Sequence, residues 1–255
     1  MSKPLLFSLV LFLLAGACKE KTAPPRDPAE DFSFFPLLLN QPTFYRVDSI
    51  VLFNTTRGIV YDTVRLEARE TLVESFTDPD GQESFRGERW ERRPGGGPWR
   101  FRQTYTLRRT AARAIRTDDN RSFTKLVFPI RNGKQWDGHA AFDDNRSTIT
   151  VGGEFIEPYI DWNYRYEAHN EPLTLPTGIS LPQTLTVRQA DDDLLIRFRR
   201  AYERYAPGLG RVERFVDARD TQCRVCCGAD TGQCSDLPWN EKAEKGFILH
   251  EVLID

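Results

Sequence analysis

An all-β fold, either an antiparallel barrel or a two-layer sandwich, is what this sequence predicts, and three observations predict it. Apolar and polar residues alternate with period two in run after run between Phe44 and Leu253. Short clusters of Asp, Asn, Gly and Pro separate the runs and suit hairpin turns. The chain carries 17 Phe, 8 Tyr and 5 Trp against 1 Met, a composition that favours half-buried sheets over helices.

The first segment stands apart from that fold. Met1-Ser-Lys3 leads into an apolar run over residues 5–14, and Ala15-Gly16-Ala17 then precede Cys18. A charged start, an apolar stretch and small residues form the layout of a secretory signal peptide, here residues 1–17. The run is about half the roughly 20 residues that a membrane-spanning helix needs. Cys18 stands where a lipoprotein signal peptidase would leave it N-terminal. Leu14 lies one position further from it than the usual lipoprotein box has its apolar residue, and Ala15-Gly16-Ala17 also suits ordinary secretory cleavage. Parity favours the lipid: the chain has 5 Cys, and acylating Cys18 leaves four that can pair.

The expectation is therefore attachment to the membrane through a lipid, palmitate among its acyl chains, on Cys18. Lys19 rather than Asp follows the cysteine, which by analogy with enteric lipoproteins points to the outer membrane. Its periplasmic and surface faces both stay open. Residues 18–31, charged and Pro-rich, read as a flexible tether. Residues 32–255 read as one β-rich domain with a Cys-rich loop at 219–240.

The strands follow in order. Residues 44–54 and 59–76 alternate, Asp78-Pro-Asp-Gly81 reverses the chain, and 83–93 returns from it. Pro94-Gly-Gly-Gly-Pro98 turns into 99–109, where Phe101, Gln103, Tyr105 and Leu107 share one face and Arg100, Arg102 and Arg108 the other. Further strands are expected at 122–130, 148–156, 162–168, 184–189, 194–202, 212–217 and 247–253. Helical spacing is confined to a turn or two at 110–116 or 199–205. Asp118-Asp-Asn-Arg-Ser122 recurs as Asp143-Asp-Asn-Arg-Ser147, without the Gly and distal Glu of a calcium loop. It reads as turn chemistry, as does Asp191-Asp-Asp193, an acidic hairpin tip.

Cys223, Cys226, Cys227 and Cys234 crowd one short loop. No βαβ context supports thioredoxin-like chemistry, and zinc would need all four thiolates converging. In an oxidising compartment two disulfides are expected. Bonding between adjacent Cys226 and Cys227 would strain the peptide. That leaves Cys223–Cys226 with Cys227–Cys234, or Cys223–Cys227 with Cys226–Cys234, the latter preferred for its larger loops.

No residue advertises catalysis. The 3 His lack metal-ligand spacing, no nucleophile elbow or phosphate loop is present, and no metal or cofactor is expected. A hydrolase without a recognisable motif is the last reading. The net charge of −2 provides no global field for nucleic acid, and the compartment argues against that partner. Arginines between Arg86 and Arg121 make a candidate anionic-ligand face, with Arg100, Arg102 and Arg108 at its centre. Glu67, Glu74, Glu88 and Glu91 stand near in sequence, so cross-strand pairing is the simpler account of it.

Two stretches carry a resemblance. Glu203-Arg-Tyr205-Ala-Pro-Gly208-Leu-Gly210-Arg-Val212 resembles the YAxGVGxV signature of uncharacterised β-rich exported proteins and lipoproteins of Bacteroidota. Phe128-Pro-Ile-Arg-Asn-Gly133-Lys-Gln-Trp136-Asp-Gly138 is similar to the segment that precedes it in those proteins. Leu209 replaces the usual Val, and Arg211 stands where the pattern has an apolar residue. The resemblance implies a scaffold and a location, with Trp136 plugging one end of a barrel or sandwich.

Together these readings describe a lipid-anchored envelope protein, a non-enzymatic binding or scaffold module for an apolar or glycan ligand. The alternative is a structural component that meets envelope proteins through the Arg-rich face.

Overall fold

The computed structural model describes residues 27–255 apart from Arg57; the signal peptide, Cys18 and most of the tether lie outside the described residues. Two up-and-down meanders make the sheet. The first runs through β1 (Thr43–Thr55), β2 (Gly58–Thr77), β3 (Glu83–Arg92), β4 (Arg100–Arg109), β5 (Arg113–Asp118) and β6 (Arg121–Val127). The second runs through β10 (Tyr164–Thr174), β11 (Ser180–Asp193), β12 (Arg197–Ala206), β13 (Gly210–Asp220) and β14 (Lys245–Leu253). Antiparallel pairing of β1 with β14, Tyr45 opposite Leu253, fuses them. With the short β7 (Gln135–Trp136) on β10, the result is a 12-stranded sheet.

That sheet curls until its two edges meet, forming a nearly closed barrel. No ladder joins β6 to β7. Instead Thr124 donates its N–H to the Gly138 carbonyl at 2.9 Å, and Trp136 Nε1 donates to the Thr124 carbonyl at 2.8 Å. Tyr166 reaches across from β10: its hydroxyl donates to the Val127 carbonyl and accepts from the Val127 N–H, both at 2.8 Å. These bonds satisfy edge groups that would otherwise be open to strand addition. Trp136 therefore stitches the seam, packed on Tyr164 and Tyr166, rather than plugging an end.

Turn chemistry follows the sequence closely. Asp119 and Asn120 both take positive φ, 47° and 62°, as a two-residue hairpin between β5 and β6 requires. The second copy of that motif forms a 3-10 turn, Asp144–Arg146, capped by Asp143. A separate hairpin, β8 (Ile149–Val151) with β9 (Glu154–Ile156), lies against β1 and β14.

Several expectations are corrected. Residues 110–112 form a turn, 113–116 open β5, and residues 199–205 belong to β12, so neither stretch is helical. In β12 the pairing partners on β11 and β13 override the weak helical spacing. Asp191 to Asp193 end β11, and the exposed hairpin tip is Leu194-Leu195-Ile196. A 3-10 helix, Pro28–Phe34, begins inside the stretch read as tether and runs across its boundary at residue 31. It is packed because Phe34 is buried and Asp31 accepts the Ile130 N–H at 2.7 Å.

The Cys-rich loop holds three short helices, α1 (Arg224–Cys227), α2 (Thr231–Asp236) and α3 (Trp239–Lys242). It contains one disulfide, Cys223–Cys234, and neither expected pairing; Cys226 and Cys227 are free thiols. A left-handed backbone at Cys223 starts α1 and Gly228 ends it. Folding back through α2 then brings the Cys223 and Cys234 Cα atoms to 5.7 Å, within bridging range. The Glu244 carboxylate holds the start of α1 by accepting the Gln222, Arg224 and Val225 N–H groups.

Candidate functional site

Strand register puts charge inside the barrel. Directly opposed residues share a face, so Val187, Glu203, Arg214, Glu251, Val47 and Leu66 form one interior rung across β11, β12, β13, β14, β1 and β2. Glu70 opposite Arg89 begins a second. Lys125 enters from β6, Arg116 from β5 and Arg211 from the start of β13, where a register shift beside Tyr205 turns it inward.

These groups form one buried network. Arg116 grips both Glu70 oxygens, at 2.8 and 3.1 Å, and Arg89 reaches Glu70 at 3.0 Å and Glu251 at 2.6 Å. Arg211 lies 3.3 Å from each of Glu70 and Glu251. Across the interior, Lys125 Nζ donates to Glu203 at 2.8 Å, and the Tyr205 hydroxyl donates to the other Glu203 oxygen at 2.5 Å. Buried charges persist only when paired in this way.

Titration reflects the pairing. Burial alone would raise the Glu203 carboxyl, but Lys125, Arg211 and Arg214 outweigh it and hold it at about 2. Glu251 is likewise held at about 2, against its own burial, by Arg89, Arg211 and Arg214. Glu70 lies well below the usual carboxylate range for the same reason, with Arg116 the largest cation. Desolvation lowers Lys125, Arg214 and Arg211 add to the shift, and Glu203 opposes it. Burial pushes the Tyr45 hydroxyl up to about 12.

A cavity of about 230 Å³ opens onto this network. Its floor includes Glu70, Arg116, Lys125, Glu203 and Arg211, and Leu72, Leu107 and Leu253 stand on its walls. Its rim is the segment after the 3-10 helix, from Phe35 to Thr43, facing the β12–β13 turn at Gly208 and Leu209. Arg109 fixes that rim by donating to the Phe32 and Phe35 carbonyls at 3.0 and 2.7 Å. Gly208 donates to the Ser33 carbonyl at 2.8 Å. Gly210 has φ +74° and lies close under Pro36, where a Cβ would come within 3.2 Å of the ring.

A larger recess at the opposite end, about 580 Å³, is a weaker candidate. Several of its charges are already committed: Arg199 binds Asp220 at 2.8 Å and the Glu157 carbonyl at 3.0 Å, and Glu244 caps α1.

The expected Arg-rich face does not converge on a site. Arg100 and Arg102 are exposed on β4, Arg102 lying 3.9 Å from Glu91, and Arg108 is held by Asp78 at 2.8 Å. Neighbouring arginines are paired across strands, Arg86 with Glu74 and Arg92 with Glu67, each at 2.7 Å. Arg89 and Arg116, counted in that face from sequence, turn into the barrel. The histidines sit apart from the cavity floor. His139 is caged by Phe123, Tyr159 and Trp162, and burial lowers it to about 3, so it is neutral. His250 meets Glu213 at 2.7 Å and His169 packs on Phe34.

Among the described residues one thiol cluster could hold a metal: the Cys226, Cys227 and Cys234 sulfurs lie within 4.8 Å of one another. Cys234 is already bonded to Cys223, which leaves two thiols and no closed ligand set.

The network was missed in sequence because each member looked like an isolated charge within a strand. A signal did exist. Glu70 sits in the apolar register between Ala68 and Leu72, and Glu203 between Ala201 and Tyr205. Arg211 is also the position that departs from the apolar residue of the motif.

No protein-family model matches the chain, and no curated protein matches it. Among solved structures it is similar to a putative lipoprotein of Parabacteroides distasonis, at 13% identity and a TM-score of 0.30 over 87% of this chain and 97% of that one. It is also similar to a putative exported protein with a YmcC-like fold from Bacteroides fragilis, at 11% identity and a TM-score of 0.31 over 85% of this chain and 96% of that one.

Proposed function

We propose that this chain is a lipid-anchored protein of the cell envelope, held at the outer membrane through Cys18, and that its barrel is a non-enzymatic binding module for an apolar ligand. One observation carries the reading: a cavity with apolar walls opens at the barrel end capped by the 3-10 helix, which is where the chain leads back to Cys18. The nine residues between Cys18 and Pro28 span on the order of 30 Å when extended, so the mouth stays close to the membrane. Closed antiparallel barrels commonly hold one small ligand in this way.

Native mass spectrometry of the full chain, released gently from membranes, tests both parts. The expected result is an acylated Cys18 and a discrete bound molecule that organic solvent extracts. An unmodified N-terminal thiol would sink the anchor, and a chain that neither carries nor takes up an apolar molecule would sink the carrier. Attachment to envelope proteins through Arg100, Arg102 and Arg108 is the weaker reading, since pairing already neutralises most of that surface.

A further inference from the structure

We infer that the mouth end of the barrel docks on a lipid bilayer, with Leu38, Leu39, Leu209 and Ile254 entering its interfacial layer; the inference rests on the lipid anchor proposed above. The first support is where charge is missing. Residues 32–45, 172–187 and 205–210 contain no Asp, Glu, Lys, Arg or His, in a chain of which 28% is charged. The fold gathers all three runs at one place. They are the rim with the start of β1, the β10–β11 turn and the β12–β13 turn, and β14 ends among them. Ile254 donates its N–H to the Phe44 carbonyl at 3.0 Å, and the Thr177 hydroxyl donates to the Leu253 carbonyl at 2.8 Å.

Half of the ring of strands at that end is thus uncharged, flanked by Glu171 and the C-terminal Asp255. Asp78, Asp80, Arg108, Arg113 and Arg131 belong to the other half, around the β2–β3 and β4–β5 turns and after β6. An uncharged apolar surface gains by entering the bilayer interface, whereas a charged one stays in water. Docking is therefore tilted, with the charged half left at the level of the head groups.

Presentation of the apolar residues is the second support. Leu38 and Leu209 are each 46% exposed, Leu39 is 39% and Ile254 36% exposed. Leu38 and Leu209 both line the cavity mouth. Leu39 bridges to Leu72, and Asn40 donates its N–H to the Leu72 carbonyl at 2.8 Å. A rim held in this way loses little freedom on docking.

Reach is the third. Nine residues separate Cys18 from the 3-10 helix, on the order of 30 Å when extended. The other exposed apolar tip, Leu194 to Ile196, lies at the far end of β11, a strand of 14 residues that spans on the order of 45 Å. Asp191, Asp192, Asp193 and Arg197 flank it. A bilayer reached through the tether meets the mouth first, and docking there opens the cavity onto lipid.

Tryptophan quenching of the acylated full chain in phosphatidylcholine vesicles, with and without brominated acyl chains, tests the inference. The native Trp90, Trp99, Trp136, Trp162 and Trp239 set the background. Leu209→Trp should add emission that brominated lipid quenches at least twofold, and Leu195→Trp should add emission that it leaves unchanged. Leu38→Glu with Leu39→Glu, both at exposed positions, should at least halve the quenching of Leu209→Trp. With Cys18 acylated, an unquenched Leu209→Trp or equal quenching of the two reporters would overturn the docking and leave the anchor standing. Cross-linked dimers in place of quenching would give the surface to a second copy and overturn it as well. An unacylated Cys18 would remove the tether and overturn both readings.

Discussion

Lys125 on β6 and Glu203 on β12, 78 residues apart in sequence, meet at 2.8 Å inside the barrel, where both are almost fully buried. The pair links the two meanders from within. Removing one partner leaves the other charged, desolvated and uncompensated. Lys125→Met is therefore expected to cost about 3–5 kcal/mol. Lys125→Met with Glu203→Gln should lose less than the two single changes summed, by about 1–3 kcal/mol. Urea denaturation of the four proteins measures the cycle, and strict additivity would mean that the contact contributes nothing.

Acid should unfold the barrel through its carboxylates. Glu203 and Glu251 titrate at about 2 in the folded chain against a usual value of 4.5. On acidification the unfolded chain takes up these protons first. The stability they contribute is thus complete above about pH 4.5 and is lost as the pH falls toward 2. Urea midpoints at pH 6, 4 and 3 should decline in that order, and a flat profile would contradict the pairing.

The seam depends on two aromatic side chains. Tyr166→Phe leaves both the Val127 N–H and its carbonyl without their partner and is expected to cost about 1–3 kcal/mol. Amide exchange should accelerate along β6 while β12 and β13 stay protected. Uniform acceleration would show that the seam is not a local closure.

Reduction should loosen the loop and spare the barrel. Cys223→Ser with Cys234→Ser opens a bridge of sequence separation 11 and is expected to cost about 2–4 kcal/mol. In the native chain, alkylation followed by peptide mapping should label Cys226 and Cys227 and leave Cys223 and Cys234 linked. Linkage of Cys226 to Cys234, whose sulfurs lie 3.9 Å apart, would restore half of the pairing preferred from sequence.

Gly87 makes room for the cavity wall. A Cβ there would fall 2.2 Å from the Tyr105 ring, so Gly87→Ala must displace Tyr105. The expected outcome is a loss of about 1–3 kcal/mol, read from thermal melts, and unchanged stability would show that the ring moves aside without cost.

Strands were legible wherever one face meets solvent, because alternation then marks the pleat; the run through Tyr105 and Leu107 is an instance. β5 was not, since Ala114 and Arg116 both face inward and offer no apolar contrast. Closure was hidden for a different reason. It depends on Trp136 and Tyr166 meeting Thr124 and Val127, contacts far apart in sequence that no local pattern encodes. The buried charges failed the usual rule that charge faces water, and only their parity within β2 and β12 gave them away. The cysteine pairing followed from a left-handed residue at Cys223, which composition does not announce.

The pairing of β1 with β14 has a consequence for how the molecule comes into being. Contacts such as Tyr45 with Leu253 close a loop on the order of 200 residues, the kind of non-local contact that slows folding. The first meander can form early, but β1 keeps a bare edge until the last strand emerges. Newly made chains therefore pass through a stage in which one long edge seeks a partner, and a second copy can supply it. Slow assembly and a need for escort during synthesis are built into the order of the strands.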